Sequence, residues 1–375
     1  MGIRGIHYIS VILLLTSIAI ICDEKIFWKV IKAKPVTIWV IWAVYAYFNW
    51  MSKGIFLMDS PTSFVLMRFV LPVGMMLIVF YEASINLELT SKVVLFTLII
   101  YVLIGIFFQD AGTGQGNDWE GRGGELLGNM LPLNACCMAF IAVVYCVAFR
   151  KKKSFLYLCL GLALAGIIFT STRKAVAGWG IIVIFYILST LDMKKSKTIV
   201  RFVLSVMILG GIAYLLMHNT MLGERFAETE NQSEKALAVY ANTPPILNFL
   251  GDRALHYMLG WELFLEHPVT GIGIYNFKAL TGFPVPLHTE YMTQLCENGI
   301  IGFTLYLLFI FSLFHIVWET YKKGGKSIGI VCAGGLFAIL FIALTGWTYE
   351  ATYYFAEYGL IQAYCTGVIN FRLKY

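Results

Sequence analysis

Apolar residues in this chain of 375 come in long unbroken blocks, and that blocking constrains the fold more than any motif does. Each block runs about 15 to 22 residues, close to the ~20 that a helix needs to cross a bilayer. Hydrophobic residues make up 59% of the chain and charged residues 13%, a balance that suits a polytopic membrane protein and no soluble domain of this size. Eleven spans are expected, at roughly 6–22, 36–50, 63–80, 93–109, 126–149, 155–170, 175–191, 199–217, 299–320, 328–346 and 357–371. The first has the look of a signal peptide. However, Cys22-Asp23-Glu24 is a poor cleavage site and further spans follow at once, so it is read as a helix.

Orientation follows from Lys and Arg in the short loops. One alternating set of loops carries Lys25, Lys29, Lys32, Lys34, Lys92, Arg150 to Lys153, Lys194, Lys195, Lys197, Arg201, Lys322, Lys323, Lys326, Arg372 and Lys374, which is 18 of the 28 basic residues. These loops and their flanking span ends hold only six of the 22 acids. They are expected to be cytoplasmic, with the N-terminus outside and the C-terminus inside. The net charge of +6 reflects this bias and implies no nucleic-acid partner.

Two outer loops stand out. Residues 110–125 are glycine-rich and acidic, and residues 218–298 form the only long loop. Within the long loop, Arg253 to Glu266 puts Leu255, Leu259 and Leu263 at helical spacing, with Trp261 and Phe264 on the adjoining face. Pro268 stops that helix, and Gly271-Ile272-Gly273 makes a turn. The expected fold is therefore an all-α polytopic membrane protein of about eleven transmembrane helices with one long, partly helical extracytoplasmic loop. Its parts are an N-terminal bundle over 1–217, the loop over 218–298, and C-terminal helices over 299–375.

Few residues in such a chain can carry chemistry. His288 ends a polar loop just before a span, where an imidazole can exchange a proton near neutral pH at the edge of the lipid phase. His218, His256 and His267 compete with it by chemistry; position favours His288. Arg173 lies in the short turn Thr170-Ser171-Thr172-Arg173 on the side that should be depleted of cations, and a guanidinium held there can grip a phosphate at two points. Its bland reading is a snorkelling flank. Arg253 has the same chemistry, against a surface ion pair with Asp252. Arg68, five residues into the third span, is either functional or snorkelling, and Arg122 is either a loop cation or a further phosphate contact. Tyr349, Glu350, Tyr353, Tyr354 and Glu357 line the last outer loop as belt residues or as surfaces for sugar rings. Glu290, two residues past His288, joins Tyr349, Glu350 and Tyr353 as a candidate glycan or acceptor contact. A proton acceptor with two fixed cations at a membrane surface suits sugar transfer from a pyrophosphate-linked lipid better than it suits a channel. The eight cysteines lie in or beside spans without a CxxC, and read as small apolar residues. There is no Walker loop, GxSxG, HExxH or Asp-x-Asp metal motif, so neither metal nor cofactor is expected.

Arg253 to Gly273, with its Arg, its Trp261, then His267-Pro268 and Gly271-Ile272-Gly273, resembles the loop motif of the bacterial O-antigen ligase and polymerase superfamily. The His288 segment with Glu297-Asn298-Gly299-Ile300-Ile301-Gly302 looks like that family's next motif, with Thr289 where Asn usually follows the His. Ser171-Thr172-Arg173 is similar to its Ser-Arg turn. More loosely, Arg122 to Asn134 resembles its Arg…Gly…Asn-Pro-Asn segment, with Leu133 splitting the Pro-Asn pair. The resemblance is specific over about 171–305 and loose elsewhere. It implies metal-independent glycan transfer from an undecaprenyl-pyrophosphate carrier on the outer face of the bacterial cytoplasmic membrane. Arginines (Arg173 and Arg253) would hold the pyrophosphate, His288 would activate the acceptor hydroxyl, and the anomeric centre would invert. Expected partners are the lipid-linked oligosaccharide, the bilayer, a chain-length regulator and a flippase. The short chain, with no additional C-terminal outer domain, favours a polymerase of capsule, exopolysaccharide or O-antigen over a ligase to lipid A core or protein. A transporter of the same lipid is the reading from another class, and it would call for substrate-lining charges inside the bundle and internal repeats.

Overall fold

The computed structural model describes residues 23–53, 62–108, 131–170, 172–191, 211, 253–281, 287, 289–344, 346 and 352–371. Those residues form helices and no strand. In chain order they are α1 (Glu24–Ile31), α2 (Lys34–Lys53), α3 (Thr62–Ile85), α4 (Leu87–Phe108), α5 (Leu131–Ala148), α6 (Lys153–Phe169), α7 (Arg173–Thr190), α8 (Arg253–Glu266), α9 (Asn276–Thr281), α10 (Glu290–Lys322), α11 (Lys326–Ala343) and α12 (Thr352–Phe371). The expected spans 6–22 and 199–217 lie outside the described residues, apart from Gly211.

Leu87–Phe107, Leu131–Ala148, Glu290–Lys322 and Lys326–Ala343 are long and apolar enough to cross a membrane; Leu71–Ile85, Lys153–Phe169 and Lys174–Thr190 are apolar but shorter. The expected spans at 36–50 and 357–371 form the helices α2 and α12, but neither is among those long apolar segments. Their indole, phenol and amide groups lower the hydropathy. In α2 these groups make specific contacts, described below.

The chain divides into two compact units. The first comprises Met1–Ile85, Thr229–Ile316 and Ala343–Ala363. Asp23 caps α1 by accepting from the Ile26 N–H at 3.1 Å, and Glu24 in the first turn and Lys29 in the last suit the helix dipole. The core is aromatic. Trp39 and Trp42 of α2 stack at 4.3 Å, and Phe309 of α10 and Phe355 of α12 lie 4.7 and 5.0 Å from Trp39. A Cβ on Gly359 would meet the Met76 carbonyl oxygen at 2.8 Å, so α12 approaches α3 to near backbone contact.

The second unit comprises Asn86–Glu228, Val317–Ile342 and Tyr364–Tyr375. Its centre is α5, buried from Leu131 to Cys146 and apolar all round, as a helix enclosed by others must be. Glycines admit the neighbours: Gly178 of α7 faces Ile342 and Cys136, and Gly334 of α11 faces Phe185. The seven described cysteines are buried as thiols, the state expected of small apolar residues. Lys151 reaches Glu88 at 2.7 Å, and this hydrogen bond raises the lysine pKa from its ordinary value. In both units, helix ends that the charge alternation assigns to one side do meet: Lys53 with Thr270, Lys151 with Glu88, Ser189 with Ser327.

Candidate functional site

The site begins at a break in a helix. Within α10, Gly299 takes φ 62° and ψ −169°, a conformation that side chains rarely adopt. The break frees backbone groups on both sides, since Ile300 and Ile301 would otherwise bond to Cys296 and Glu297 four residues back. Each freed group is satisfied by the loop after α8. Ile300 N–H donates to the Pro268 carbonyl at 2.9 Å and Ile301 N–H to Val269 at 3.4 Å. In return, Ile272 N–H donates to the Cys296 carbonyl at 2.9 Å and Gly273 N–H to Glu297 at 2.8 Å. Two helical bonds are exchanged for four between segments, and residues 268–273 become a strap across α10. The fit leaves no room for side chains at its centre. A Cβ on Gly271 would lie 2.5 Å from the Glu297 carbonyl carbon, and one on Gly299 would lie 2.4 Å from the Val269 oxygen.

A polar stripe on α2 fastens the strap. Trp42, Tyr45, Asn49 and Lys53 recur every three or four residues and so share one face. Asn49 donates to the Thr270 carbonyl at 2.6 Å and to the Glu297 carbonyl at 3.2 Å, joining strap to helix through one buried amide. Tyr45 donates to the Asn298 carbonyl at 2.8 Å, and the Lys53 ammonium to the Thr270 hydroxyl at 2.9 Å. Below the break, the Trp42 indole and the Asn298 amide both donate to Gln294 Oε1, at 3.0 and 3.1 Å, while Gln294 donates to Glu290 at 2.9 Å. Glu290, Gln294, Glu297 and Asn298 are buried, so the first two and a half turns of α10 carry these polar groups inward.

His288 lies outside the described residues, but both of its neighbours are placed. Leu287 and Thr289 are fully buried. Thr289 caps α10, its hydroxyl accepting from the Met292 N–H at 3.2 Å. His288 is therefore the residue just ahead of the cap of a helix. Against this segment lies α8. A Cβ on Gly260 would meet Met292 Cγ at 2.6 Å and Leu287 Cδ2 at 3.1 Å. Ile272, Phe277, Leu287, Met292 and Cys296 form a small core, against which Tyr257, Leu259 and Leu263 pack. The expected helix 253–266 is present and its leucine face is the packed one; Trp261 turns outward.

The remaining candidates separate by position. Arg253 is the first described residue of α8, in the same unit as the Thr289 cap. Arg173 opens α7 in the second unit, directly after the cap position Thr172. A cation in a first helical turn opposes the helix dipole, which favours anions there. Arg68 falls in the first turns of α3. Of the competing histidines, His256 is buried with its ring 6.3 Å from Phe277, His267 is exposed beside the strap, and His218 lies outside the described residues, as do Arg122, Tyr349 and Glu350. Tyr353 is half-buried at the start of α12, its ring 4.5 Å from Tyr354. Glu290 is 0% exposed and faces the polar interior.

Asn49, Tyr45 and Gln294 were not among the residues singled out from sequence. An amide in an expected span is a visible signal, because a polar group at membrane depth needs a partner. Its partners, however, lie more than 200 positions away.

Among the described residues the chain is helical, with helices long and apolar enough for a bilayer and a strapped polar turn where a loop meets a helix, the features of an integral membrane protein. Residues 158–307 match the family model described as O-antigen ligase. That match bears out the resemblance to the O-antigen ligase and polymerase superfamily, and supports an enzyme of the ligase or polymerase type in general. No curated protein matches the chain.

Proposed function

We propose that the protein is a polymerase of lipid-linked oligosaccharide repeats, extending capsule, exopolysaccharide or O-antigen chains. The glycan leaves an undecaprenyl-pyrophosphate carrier and passes to a hydroxyl of the acceptor, on the outer face of the cytoplasmic membrane. His288 takes the hydroxyl proton as the oxygen attacks. Pyrophosphate is already a good leaving group, so the demand on the protein is to stabilise negative charge on its oxygens. Arg173 and Arg253 meet that demand, with Arg122 and Arg68 as further contacts. Glu290, Tyr349, Glu350 and Tyr353 are the weaker candidates for contacts with acceptor or glycan. In-line attack inverts the anomeric centre, and no metal is required.

The observation that carries this reading is the interlock at Gly299. It ties, by backbone hydrogen bonds, the helix that His288 precedes to the loop that follows the Arg253 helix. Positioning of this kind is what a direct transfer needs, since reacting groups must be held close and aligned. Purified protein in detergent, given the lipid-linked repeat alone, is expected to lengthen it, in the presence of EDTA as in its absence. Transfer only when lipid A core or a protein acceptor is supplied would establish a ligase instead. No transfer to any acceptor, with movement of the lipid across liposomes, would establish a transporter.

A further inference from the structure

The side of α8 turned away from its core is divided in two. Trp261 and Leu265 are 48% and 59% exposed, with half-buried Met258 beside Leu265 on the wheel. About 100° further round, Glu262 and Glu266 form an acidic edge. A helix in open water has no use for an exposed Trp and Leu one turn apart, and singly they would pass as ordinary surface residues. Here they do not stand singly. Val269, 56% exposed, continues the edge past the helix end. Its carbonyl accepts from Ile301 and that of Pro268 from Ile300, at the point where the exposed apolar side of α10 begins. That side runs through Ile300, Ile301, Leu308 and Phe311 along a helix fit to cross the membrane. The apolar edge of α8 is thus continuous with a lipid-facing surface. An indole at such a border, polar N–H and apolar body together, matches the interface between headgroups and acyl chains.

We propose that α8 is a membrane-surface helix, with Trp261, Leu265 and Val269 seated among the headgroups and upper acyl chains of the adjoining leaflet and Glu262 and Glu266 in water. The inference does not depend on the catalytic reading. It assigns the long loop a lipid contact of its own, which holds the Arg253 helix at the level of the membrane surface.

The test uses the full chain in phosphatidylethanolamine–phosphatidylglycerol liposomes containing lipid brominated either near the headgroup or near the chain end. Leu265→Trp and Glu262→Trp each add one indole to the nine present, and the added emission is obtained by subtracting the parent. The Leu265→Trp emission is expected to be quenched by shallow bromine more than by deep bromine and spared by aqueous iodide; the Glu262→Trp emission should show the reverse order, quenched by iodide. Subtracting Trp261→Phe from the parent reads the native indole in the same way, should either variant fold poorly. Quenching of the Leu265→Trp and native Trp261 emission by iodide alone overturns the proposal. Resistance to both quenchers overturns it as well, and assigns the face to a second copy or another protein.

Discussion

Thr289 stands where the family pattern has Asn, yet the substitution keeps the chemistry that matters locally. Both side chains carry an oxygen that can accept from the first turn of a helix, and Thr289 does so toward Met292. Thr289→Asn is therefore expected to retain activity. Thr289→Val keeps the shape but loses the acceptor, and should destabilise the start of α10 by about 1 kcal/mol, seen as a lower thermal midpoint in detergent with product formation reduced. At the neighbouring position, His288→Ala should reduce transfer by about 10²–10⁴-fold, the usual range for a lost general base, while the protein still inserts and unfolds at its normal temperature. Glycan ladders from cells would then collapse to single repeats. Arg173→Lys and Arg253→Lys keep the charge but lose the planar two-point grip. Both should be severely impaired in the same ladder assay, and normal activity in the Lys variants alongside dead Ala variants would reduce their role to diffuse charge.

Among the elements, the junction of strap, α10 and α2 is where substitutions should be felt most. Gly299→Ala forces a side chain into a backbone region that essentially only glycine occupies, at about 1–3 kcal/mol, and drives its Cβ into the Val269 carbonyl. Asn49→Leu leaves the Thr270 carbonyl without this donor, while Glu297 keeps that of Gly273, at roughly 1–3 kcal/mol for a buried group left unsatisfied. Both variants should lose stability and transfer together, whereas Asn49→Asp, able to accept but poor as a donor, should resemble Asn49→Leu more than the parent. Limited proteolysis of the loop in detergent would register the loosened strap. Parts of this junction were legible in the sequence. Pro268 as a stop, Gly271 and Gly273 as a turn, and the leucine face of α8 follow from local chemistry, and each is present. The region 299–320 reads as one clean span because its apolar run begins there. The helix itself begins at Glu290, because Gln294 bonds Trp42 and Glu290 and the Asn298 amide nitrogen bonds Gln294, rather than water. The bond to Trp42 joins residues 252 apart, and no local pattern announces it. The polar character of α2 was hidden in the same way: Asn49 and Tyr45 look like defects in a span until the helix they fasten is known.

For the whole molecule, the segregation of Lys and Arg makes a claim about sidedness that an experiment can settle directly. A Cys replacing Asn231 in the long loop is expected to react with an impermeant thiol reagent in intact cells, after permeabilising any outer membrane. A Cys replacing Ser154, beside the Arg150–Lys153 cluster, should react only after lysis. The native cysteines among the described residues are buried and give little background. Labelling at Ser154 but not Asn231 would invert the arrangement and remove the polymerase reading, since the lipid-linked repeat would then meet the wrong face.

The exchange of hydrogen bonds at Gly299 also bears on how the protein is made. Chain synthesis delivers α2 first, the 268–273 strap next and α10 last. When Ile300 and Ile301 reach the membrane, the carbonyls that will receive their N–H groups already exist, and so does the amide of Asn49 that holds them. The last helix to arrive can leave its regular path at Gly299 without stranding a bare peptide group in lipid. Had the strap been encoded after α10, the same junction would have to wait, half satisfied, for a partner still inside the ribosome. The order of segments along the gene is in that sense an assembly schedule, and a circular permutation that placed the strap behind α10 should be made in poor yield even if its final structure were the same.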